Sequence, residues 1–556
     1  MNWRFGSISV MLILFGSFIW GFSHASVIHV PTEHLTIQEG ISVATHGDTV
    51  LVEDGIYSGT GNRDLDFEGK MISLVSASGP VSTVIDCENI GRGVIFAMGE
   101  GRNSRIIGFS IVNGRAPVNG SGSEGAGIFC VGSSPTIRNC VIASCSAVEG
   151  SGVYSEGGSP LIESCRIEEN LNSSLGGGLS IRGGSPWIVS CVIQNNSVAS
   201  NGDSVFGGGV FTLNSNATFT NCVIKGNSAT DGTGSSALGG GLYIQLSGYF
   251  RVSLINCLIE SNSSVHITSG NGGFGGGVFC GNGSVSMNSC TIAENNAATS
   301  GGSVYGEGGS NIEMIRCISW GNSPPGLLGV QSISYSDVEG GYPGIHNIDA
   351  DPLFVTGSSG DFYLSQISSG QATDSPCVDE GSSTASAVCY ELPSGSVCFD
   401  TRTTRTDDVI DGSIIDLGYH YPSSNVPTPT PTPPPSQSDC SDPGVTIWMP
   451  SHFFEPGDPF SCHVDVCNTG LDTLEEHHLF VVVMIYDLVF FAPSFGTSVD
   501  YWTDSFDPGM TRVDVIPAGY VFPAVTGTGN ALVLSALMSS DFASIYGGIG
   551  VWNFGY

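Results

Sequence analysis

Seven cysteines of this chain occupy the same position in a repeated sequence unit. Each has isoleucine or another large apolar residue three positions before it, and asparagine five positions after it in every unit but the first, where Cys145 stands. The seven are Cys140, Cys165, Cys191, Cys222, Cys257, Cys290 and Cys317. Repeats of about 25 to 35 residues with short β-type runs, Gly/Ser corners and no helical period are typical of proteins in which each repeat is one coil stacked on its neighbours.

The spacing inside each unit predicts the shape of a coil. Apolar positions that lie three, two and three residues apart break the period of two that a straight strand requires, so we expect bends at the Cys and at the Asn. Parallel pairing of neighbouring coils places equivalent residues about 4.8 Å apart, which turns each position into a ladder along the axis. The sequence therefore predicts an all-β chain in which residues 26–345 form a right-handed parallel β-helix.

The ladders of the repeated Cys and of the repeated Asn are both expected to stabilise the fold rather than to take part in catalysis or binding. An Asn amide at a corner can bind backbone carbonyls that the bend leaves unpaired, and also the next Asn in the stack. Thiols in parallel register point the same way, which is poor geometry for a disulfide or a tetrahedral metal site, so we expect buried apolar fillers. We expect any disulfides in two other groups, with their connectivity open: Cys377, Cys389 and Cys398, and Cys440, Cys462 and Cys467.

The first 25 residues have the order of a secretory signal. Arg4 precedes an apolar run over residues 8–22, and Ser23-His24-Ala25 offers a small-residue cleavage site. We therefore expect a secreted or cell-surface protein. No later stretch reaches the roughly 18 uninterrupted apolar residues of a membrane span, so none is expected after signal cleavage.

The charge balance restricts the partners. The chain has 16 basic and 51 acidic residues, and a protein so poor in cations cannot neutralise the phosphates of DNA or RNA. The same balance opposes unaided binding of polyanionic sugars, although a bound cation such as calcium could reverse it locally. No other cofactor is expected.

Residues 31–57 carry a recognisable opening. Thr36-Ile37-Gln38 is followed by Gly47-Asp48-Thr49-Val50-Leu51-Val52 and by Gly55-Ile56-Tyr57. This stretch resembles the start of bacterial secreted right-handed β-helix repeat proteins of the pectin-lyase-like superfamily. The resemblance implies a short amphipathic capping helix from Ile37 to Ala44, and with the repeats it extends to about residue 345. It implies the fold only, because this fold carries lyases, hydrolases, epimerases, adhesins and scaffolds.

The repeat pattern of the sequence ends after Asn347, and other motifs follow. The motifs Asp351-Pro352-Leu353-Phe354, Ser375-Pro376-Cys377 and Asp416-Leu417-Gly418-Tyr419 are similar to a segment that closes many such helices, often labelled a choice-of-anchor Q domain. His420 stands where that pattern usually has an acid. We expect residues 346–422 to cover the last coil, whose open edge would otherwise recruit another chain.

A spacer and a second domain are expected at the end of the sequence. Residues 423–438 include alternating Thr and Pro, which favours an extended polyproline II linker. Residues 439–556 alternate apolar and polar positions, turn at Asn468-Thr469-Gly470 and include an apolar run over residues 479–491. This pattern predicts a C-terminal antiparallel β-sandwich.

One corner of the coil varies in length. Three consecutive long loops, residues 197–206, 228–238 and 263–274, precede glycine clusters and are expected to form a ridge along one side of the rod. Ridges on rigid scaffolds are where binding sites usually evolve, which makes Asp203, Asp231 and His266 candidate binding residues. The alternative is that these loops are tolerated surface insertions.

An aromatic residue follows the glycines and one aliphatic residue in six of seven coils. Alternation puts the aliphatic and aromatic side chains on opposite faces of the strand, so inward aliphatics leave the rings outside. An exposed strip of rings would suit the flat faces of sugars in neutral or cation-bridged glycans. An internal aromatic stack is the alternative. The six are Phe129, Tyr154, Phe211, Tyr243, Phe279 and Tyr305.

Catalytic motifs do not stand out in the sequence. The calcium clusters with a Lys or Arg base of pectin-type lyases, and the Asp pairs of related hydrolases, are not found; carboxylates such as Glu163 and Glu168 could still converge. We therefore expect a secreted protein for binding or adhesion to an extracellular polysaccharide or cell-envelope glycan. The alternative is a polysaccharide lyase or glycoside hydrolase.

Overall fold

The computed structural model describes residues 26–117, 122–200, 203–232, 235–266, 272–393 and 395–423, together with the backbone of eight strands within residues 444–555. The chain divides into two compact units, Met1–Val426 and Pro427–Tyr556. The predicted signal sequence and nearly all of the predicted linker lie outside the described residues.

Most of the first unit is a rod of stacked coils whose strands pair in parallel with the equivalent strands of the neighbouring coils, and the predicted right-handed parallel β-helix is confirmed. Each coil passes through three faces, which we name sheets A, B and C. The long strand Val278–Asn288 belongs to both sheet A and sheet C.

The strands of each sheet are as follows. Sheet A contains Val27–Val30, Thr49–Val52, Ser73–Ser76, Arg105–Ile107, Thr136–Arg138, Leu161–Glu163, Trp187–Val189, Thr218–Thr220, Arg251–Ile255, Val278–Asn288, Ser310–Ile315 and Val330–Ser334. Sheet B contains Gly55–Tyr57, Thr83–Asp86, Ser110–Val112, Val141–Ala143, Arg166–Glu168, Val192–Gln194, Val223–Lys225, Leu258–Glu260, Thr291–Ala293, Ile318–Trp320 and Asp337–Val338. Sheet C contains Leu65–Asp66, Val94–Phe96, Ile128–Val131, Val153–Glu156, Leu179–Arg182, Val210–Leu213, Leu242–Gln245, Val278–Asn288, Val304–Gly306 and Leu327–Leu328.

Two corners of each coil are made by residues in the left-handed conformation. The first corner residue directly precedes the Cys column and the second directly precedes the Asn column, so each bend lies one residue earlier than predicted. The first corners are Asn139, Ser164, Ser190, Asn221, Asn256, Ser289 and Arg316, and the second are Ser144, Glu169, Asn195, Gly226, Ser261, Glu294 and Gly321. Six of these fourteen residues are Asn or Gly, which adopt a positive φ more readily than other residues, and five are Ser.

The Asn ladder has the hydrogen bonds that the sequence predicts. The Asn196 side-chain amide donates to the Ile167 carbonyl at 2.9 Å and to Asn227 Oδ1 at 3.0 Å, and the same pattern repeats along the ladder. The ladder is buried, and a buried amide with its partners in place avoids the cost of an unsatisfied polar group.

The Cys ladder faces the interior, as predicted. All seven thiols are buried and unbridged, and their S–H groups lie near carbonyl oxygens, as in the 3.3 Å contact from Cys222 Sγ to Ile188 O. Burial raises the pKa of Cys257 well above its usual range. These thiols are therefore packing groups rather than nucleophiles.

Within the described residues, the long loops and the strands that follow the Asn corner of the neighbouring coils form a nine-stranded sheet, which we name the ridge. Outgoing strands leave the Asn corner and short returning strands lead back to the glycines, with Val198, Val205, Ala229 and Ala237 packed together inside. The outgoing strands are Ser146–Glu149, Leu171–Leu175, Ser197–Ser200, Ser228–Asp231, Ser263–His266 and Asn296–Ala297; the returning strands are Val205–Phe206, Ala237–Leu238 and Gly273–Phe274. At Gly207, where φ is +69°, a Cβ would overlap the carbonyl oxygen of Val210, so the chain can re-enter the rod only through glycine.

Residues 346–422, which we name the flank segment, do not simply cover the last coil as expected. The end of the rod is covered mainly by residues 339–348, where the Tyr342 hydroxyl donates to the Val330 carbonyl at 2.6 Å. The flank segment then packs against the outer face of sheet B, touching Val223, Leu258 and Ile318. It contains the hairpins Phe354–Gly357/Gly360–Leu364, Cys389–Leu392/Gly395–Cys398 and Arg402–Thr403/Tyr421–Pro422, and the 3-10 turns Ile367–Ser369, Ala385–Ala387 and Phe399–Thr401.

Hydrogen bonds attach the flank segment to corner residues of the rod. The Asn256 amide donates to the His420 carbonyl at 2.8 Å and its Oδ1 accepts from the His420 backbone N–H at 2.7 Å. The Tyr390 hydroxyl donates to Asn221 Oδ1 at 3.0 Å. Cys389 and Cys398 form a disulfide, as the sequence allowed, whereas Cys377 is a buried free thiol.

The start of the rod is closed by a helix. The helix Ile37–Val43 begins at Thr36, whose side chain accepts from the Glu39 backbone N–H while the Glu39 carboxylate accepts from Thr36 N–H, a capping box. Ile37 and Ile41 are buried against the first coils. The capping helix implied by the resemblance is confirmed, with Ala44 as its C-cap.

The second unit contains two antiparallel sheets among its described strands. One contains Gly444–Trp448, Pro459–Asn468 and Gly509–Val521, and the other contains Leu474–Ile485, Leu488–Ala492, Trp502–Phe506, Asn530–Met538 and Gly550–Gly555. The apolar run at residues 479–491 is not one strand, because it is divided between Leu474–Ile485 and Leu488–Ala492, which pair with each other.

Candidate functional site

The outer face of sheet C carries the aromatic ladder. The aliphatic positions, such as Val210 and Leu242, point into the rod and have no exposed surface. Their neighbours Phe211 and Tyr243 point outward and lie in register on adjacent coils. The predicted alternation of inward aliphatic and outward aromatic side chains is therefore present.

The rings are not an exposed strip, because the ridge folds over them. Phe211, Tyr243 and Phe279 are only 5%, 8% and 1% exposed, and Tyr154 is buried as well. The expectation of an open sugar-stacking surface is wrong for these four residues. Burial also raises the pKa of Tyr243 to about 12. The rings lie between the rod and the ridge and form a second hydrophobic core.

A ladder in the ridge covers the rings, and we name it the roof ladder. Successive coils place its residues in register directly before the glycines. Its four apolar members lie over the buried part of the stack. Hydroxyl and carboxyl groups replace them at the two ends. In chain order the roof ladder is Glu149, Leu175, Phe206, Leu238, Phe274 and Ser300.

The ring planes of the middle of the ladder are stacked. Centroids are 5.5 Å apart from Phe211 to Tyr243, 5.3 Å from Tyr243 to Phe279 and 5.3 Å from Phe279 to Tyr305, with interplanar angles below 10°. Offset stacking at this separation is favourable beyond the area that it buries. The stack is therefore a continuous hydrophobic support for the ridge.

Ser180 interrupts the aromatic ladder for a reason that the structure shows. Its hydroxyl donates to Glu149 Oε1 at 2.6 Å, and the Arg182 guanidinium binds the same carboxylate at 2.5 and 2.8 Å. Arg182 also lies 5.3 Å from the Phe211 ring centroid. A polar cluster thus replaces one ring of the stack.

The two ends of the ladder are only partly covered. Phe129 lies under the Arg92 guanidinium, which is 4.7 Å from its ring centroid. At the other end Tyr305 is half-buried, and it is the last ring of the stack. Phe274 lies 5.0 Å from Tyr305, and Leu328, in register with Tyr305 on the next coil, is 44% exposed. We name Phe274, Tyr305 and Leu328 the shelf.

The structure brings together two of the three polar candidates. His266 Nε2 lies 3.2 Å from Asp231 Oδ2 on the adjacent coil, and both side chains are buried, with 3% and 0% exposed. Asp231 Oδ2 also accepts from the Ser235 N–H at 2.8 Å, so the pair holds the long loops together. Asp203 is exposed and separate, and its N–H donates to Ser200 Oγ.

The two carboxylates that could have converged do not. Glu163 lies on sheet A and binds Arg138 at 2.8 Å, whereas Glu168 lies on sheet B and binds Arg166 at 3.0 Å. Each is engaged in an ion pair on its own face. Within the described residues no group of three or more His, Cys, Asp or Glu side chains is arranged to hold a metal ion. None of the described helices has the length and apolarity to span a membrane.

A buried polar cluster in the flank segment was not found from the sequence. His420 Nε2 lies 3.3 Å from Asp411 Oδ2, and Asp416 accepts from Gln366 Nε2 at 3.2 Å and from the Asp379 backbone N–H at 2.8 Å. Burial, with the Asp411 charge, raises the pKa of Asp416. The departure at His420 was the only sequence signal, and it marks a residue that docks the flank segment.

Comparison with known proteins agrees with this geometry. The profile of the family described as right handed beta helix region matches residues 72–248 and 126–341. The rod is a right-handed parallel β-helix. The matches span the coils that carry the aromatic ladder, the ridge and the shelf. No curated protein matches the sequence.

Proposed function

We propose that this right-handed β-helix protein is an exported binding or adhesion protein that holds a glycan on the shelf. The single observation that carries the proposal is the end of the stack of rings at Tyr305. The next coil has Leu328 in register instead of a ring, so Tyr305 is the partly exposed end of a rigid stack.

The shelf has the chemistry of a sugar platform. A ring fixed by stacking presents a flat apolar face without losing side-chain freedom on binding, and Phe274 and Leu328 extend that face on either side. Glu307, two residues after Tyr305, is exposed and adds a carboxylate that accepts hydrogen bonds from hydroxyl groups. Together they favour a neutral glycan over an anionic one.

Export is part of the proposal. The Cys389–Cys398 disulfide supports it, because disulfides persist in oxidising compartments. We further propose that the C-terminal sheets form a β-sandwich beyond the Pro/Thr spacer, as a separate extracellular module. Sequencing the N-terminus of the mature protein tests export, and a start at Ser26 is expected.

The Tyr305→Ala variant tests the shelf. A sugar stacked on one ring gains on the order of 1 kcal/mol, so we expect glycan retention to weaken about fivefold, measured by affinity electrophoresis against neutral and acidic polysaccharides. Tyr249→Ala is the matched control, since Tyr249 is a fully exposed tyrosine on another side of the rod. Equal glycan retention by the wild type and Tyr305→Ala would exclude the shelf as the glycan-binding site. Formation of new reducing ends would instead indicate a glycoside hydrolase, and formation of unsaturated products would indicate a polysaccharide lyase.

A further inference from the structure

The opposite end of the ridge has a depression of about 330 Å³, lined by residues of three coils and the approach to the first of them. Arg115, Val148 and Leu171 form much of its surface, with Asn172 and Ala199 beside them. It lies where the short corner of one coil meets the first long strands of the ridge. It is therefore separate from the shelf, at the other end of the roof ladder.

Leu171 is out of pattern at this position. Parallel pairing places it in one ladder with Arg115 and Ser146 before it and with Ser197, Ser228 and Ser263 after it. The later coils thus use serine where this coil uses leucine, and Leu171 is 53% exposed. Val148 beside it is 38% exposed. The fold does not require an apolar residue here, because serine serves the same strand position on the following coils.

Arg115 gives the depression a positive charge in a protein whose formal net charge is −35. Its side chain is exposed and forms no ion pair or hydrogen bond with another residue of the described part of the chain. Most other arginines of the rod bind a carboxylate or a carbonyl, as Arg138 and Arg92 do. A cation with no side-chain partner among the described residues, beside two exposed aliphatic side chains, complements a ligand that is anionic at one end and apolar at the other.

We propose that this depression binds a small monocarboxylate with an aliphatic body, with the carboxylate on the Arg115 guanidinium and the hydrocarbon on Leu171 and Val148. The volume is at the low end of ligand pockets, which fits a small molecule rather than a polymer. A guanidinium pairs with a carboxylate through two parallel N–H donors, which fixes the orientation of the ligand.

Saturation-transfer NMR of the whole chain with hexanoate tests the proposal. We expect transfer to the hexanoate methylenes, with at least tenfold weaker binding of acetate, which lacks the apolar body, and of 1-hexanol, which lacks the charge. Arg115→Gln and Leu171→Ser should each weaken hexanoate binding about fivefold. Leu171→Ser restores the residue of the neighbouring coils, so its melting temperature should equal that of the wild type.

The matched control is Arg251→Gln, which removes one positive charge from an exposed ion pair with Glu313 on sheet A. It should leave hexanoate binding unchanged. The proposal would be overturned if the wild type showed no saturation transfer to hexanoate. It would also be overturned if Arg115→Gln and Leu171→Ser bound hexanoate as tightly as the wild type. Equal binding of 1-hexanol and hexanoate would overturn the role of Arg115. None of these results depends on glycan binding at the shelf.

Discussion

Two additions cover the outside of the rod, and they are attached by different forces. The ridge packs on sheet C through stacked rings and the apolar members of the roof ladder. The flank segment packs on sheet B through smaller apolar clusters, and it also buries carboxyl groups at its contacts, those of Asp337, Asp411 and Asp416. The first attachment is mainly hydrophobic, whereas the second depends on hydrogen bonds and on protonation.

One scaffold thus carries an element whose attachment does not depend on pH and an element whose attachment does. Apolar contacts do not change with pH, so the packing of the ridge on sheet C should not depend on pH. Ionisation of a buried carboxyl group destabilises the folded state, so the attachment of the flank segment should weaken as pH rises. The largest predicted effect therefore belongs to the ridge core and the smallest to a single carboxyl group.

Removing a ring from the stack should have the largest effect. Phe279→Ala leaves a cavity between rod and ridge, and we expect about 3 to 5 kcal/mol loss of stability, measured by denaturant unfolding. The matched variant Phe399→Ala removes a buried ring from the flank segment. We expect protease cleavage in the ridge loops for the first variant and in residues 346–422 for the second. If Phe279→Ala were as stable as the wild type, the rings between the rod and the ridge would not act as a second hydrophobic core.

The repeat itself could be predicted because its signals are local and repeat exactly. The Cys and Asn columns have fixed spacing, and a period that breaks at two places specifies two bends. The directions of Cys222 and Asn227 followed from parallel register alone. The burial of the rings could not be predicted, because the alternation of side chains shows on which face of the strand a ring lies but not whether another segment covers that face. Tyr243 is outward, as the pattern indicates, and yet it is buried.

The roof ladder explains why the sequence was insufficient at the site. Leu175, Phe206 and Leu238 all stand directly before the glycines, a constant position that the sequence shows, but the loops before them differ in length, so only the structure shows that they fold back over the rings. The same holds for the flank segment. His420 and Asn256 are 164 residues apart, and only the three-dimensional structure places them in contact. Contacts between irregular segments and the repeat are therefore the part that periodicity does not predict.

Cutting the hydrogen bonds of the flank segment should have an intermediate effect. Asn256→Gly keeps the left-handed corner but removes an amide that exchanges two hydrogen bonds with the His420 backbone, so we expect a loss of about 2 kcal/mol. Proteolysis of residues 346–422 should accelerate while the ridge stays protected. Asn139→Gly is the control, since Asn139 is an exposed residue at the same corner of another coil. If both variants behave alike, the amide does not attach the flank segment.

A single carboxyl group should have the smallest effect, and it should appear as a dependence on pH. Burial raises the pKa of Asp337 to about 6, above the usual 3.8. Its Oδ2 accepts from the Cys377 thiol at 3.2 Å, and its Oδ1 accepts from the Ala350 N–H at 3.2 Å. Between about pH 4 and pH 6 the folded chain holds this proton more tightly than the unfolded chain. The contribution of Asp337 to stability is therefore fully present below about pH 4 and is lost as pH rises through about 6.

The Asp337→Asn variant tests this sign, because asparagine keeps an acceptor oxygen but cannot ionise. We expect the fall in stability of the flank segment from pH 4 to pH 6 to decrease by about 1 kcal/mol, measured by protease susceptibility of residues 346–422 across that range. Asp407→Asn is the control of opposite sign. Arg405 lowers the pKa of Asp407 to about 2, so its contribution is lost only as pH falls below about 4 and the pH 4 to 6 slope should stay unchanged. A fall in stability that persists in Asp337→Asn would assign the pH response to Asp416, whose pKa burial also raises, whereas a wild-type profile that does not change with pH would remove the distinction between the two attachments.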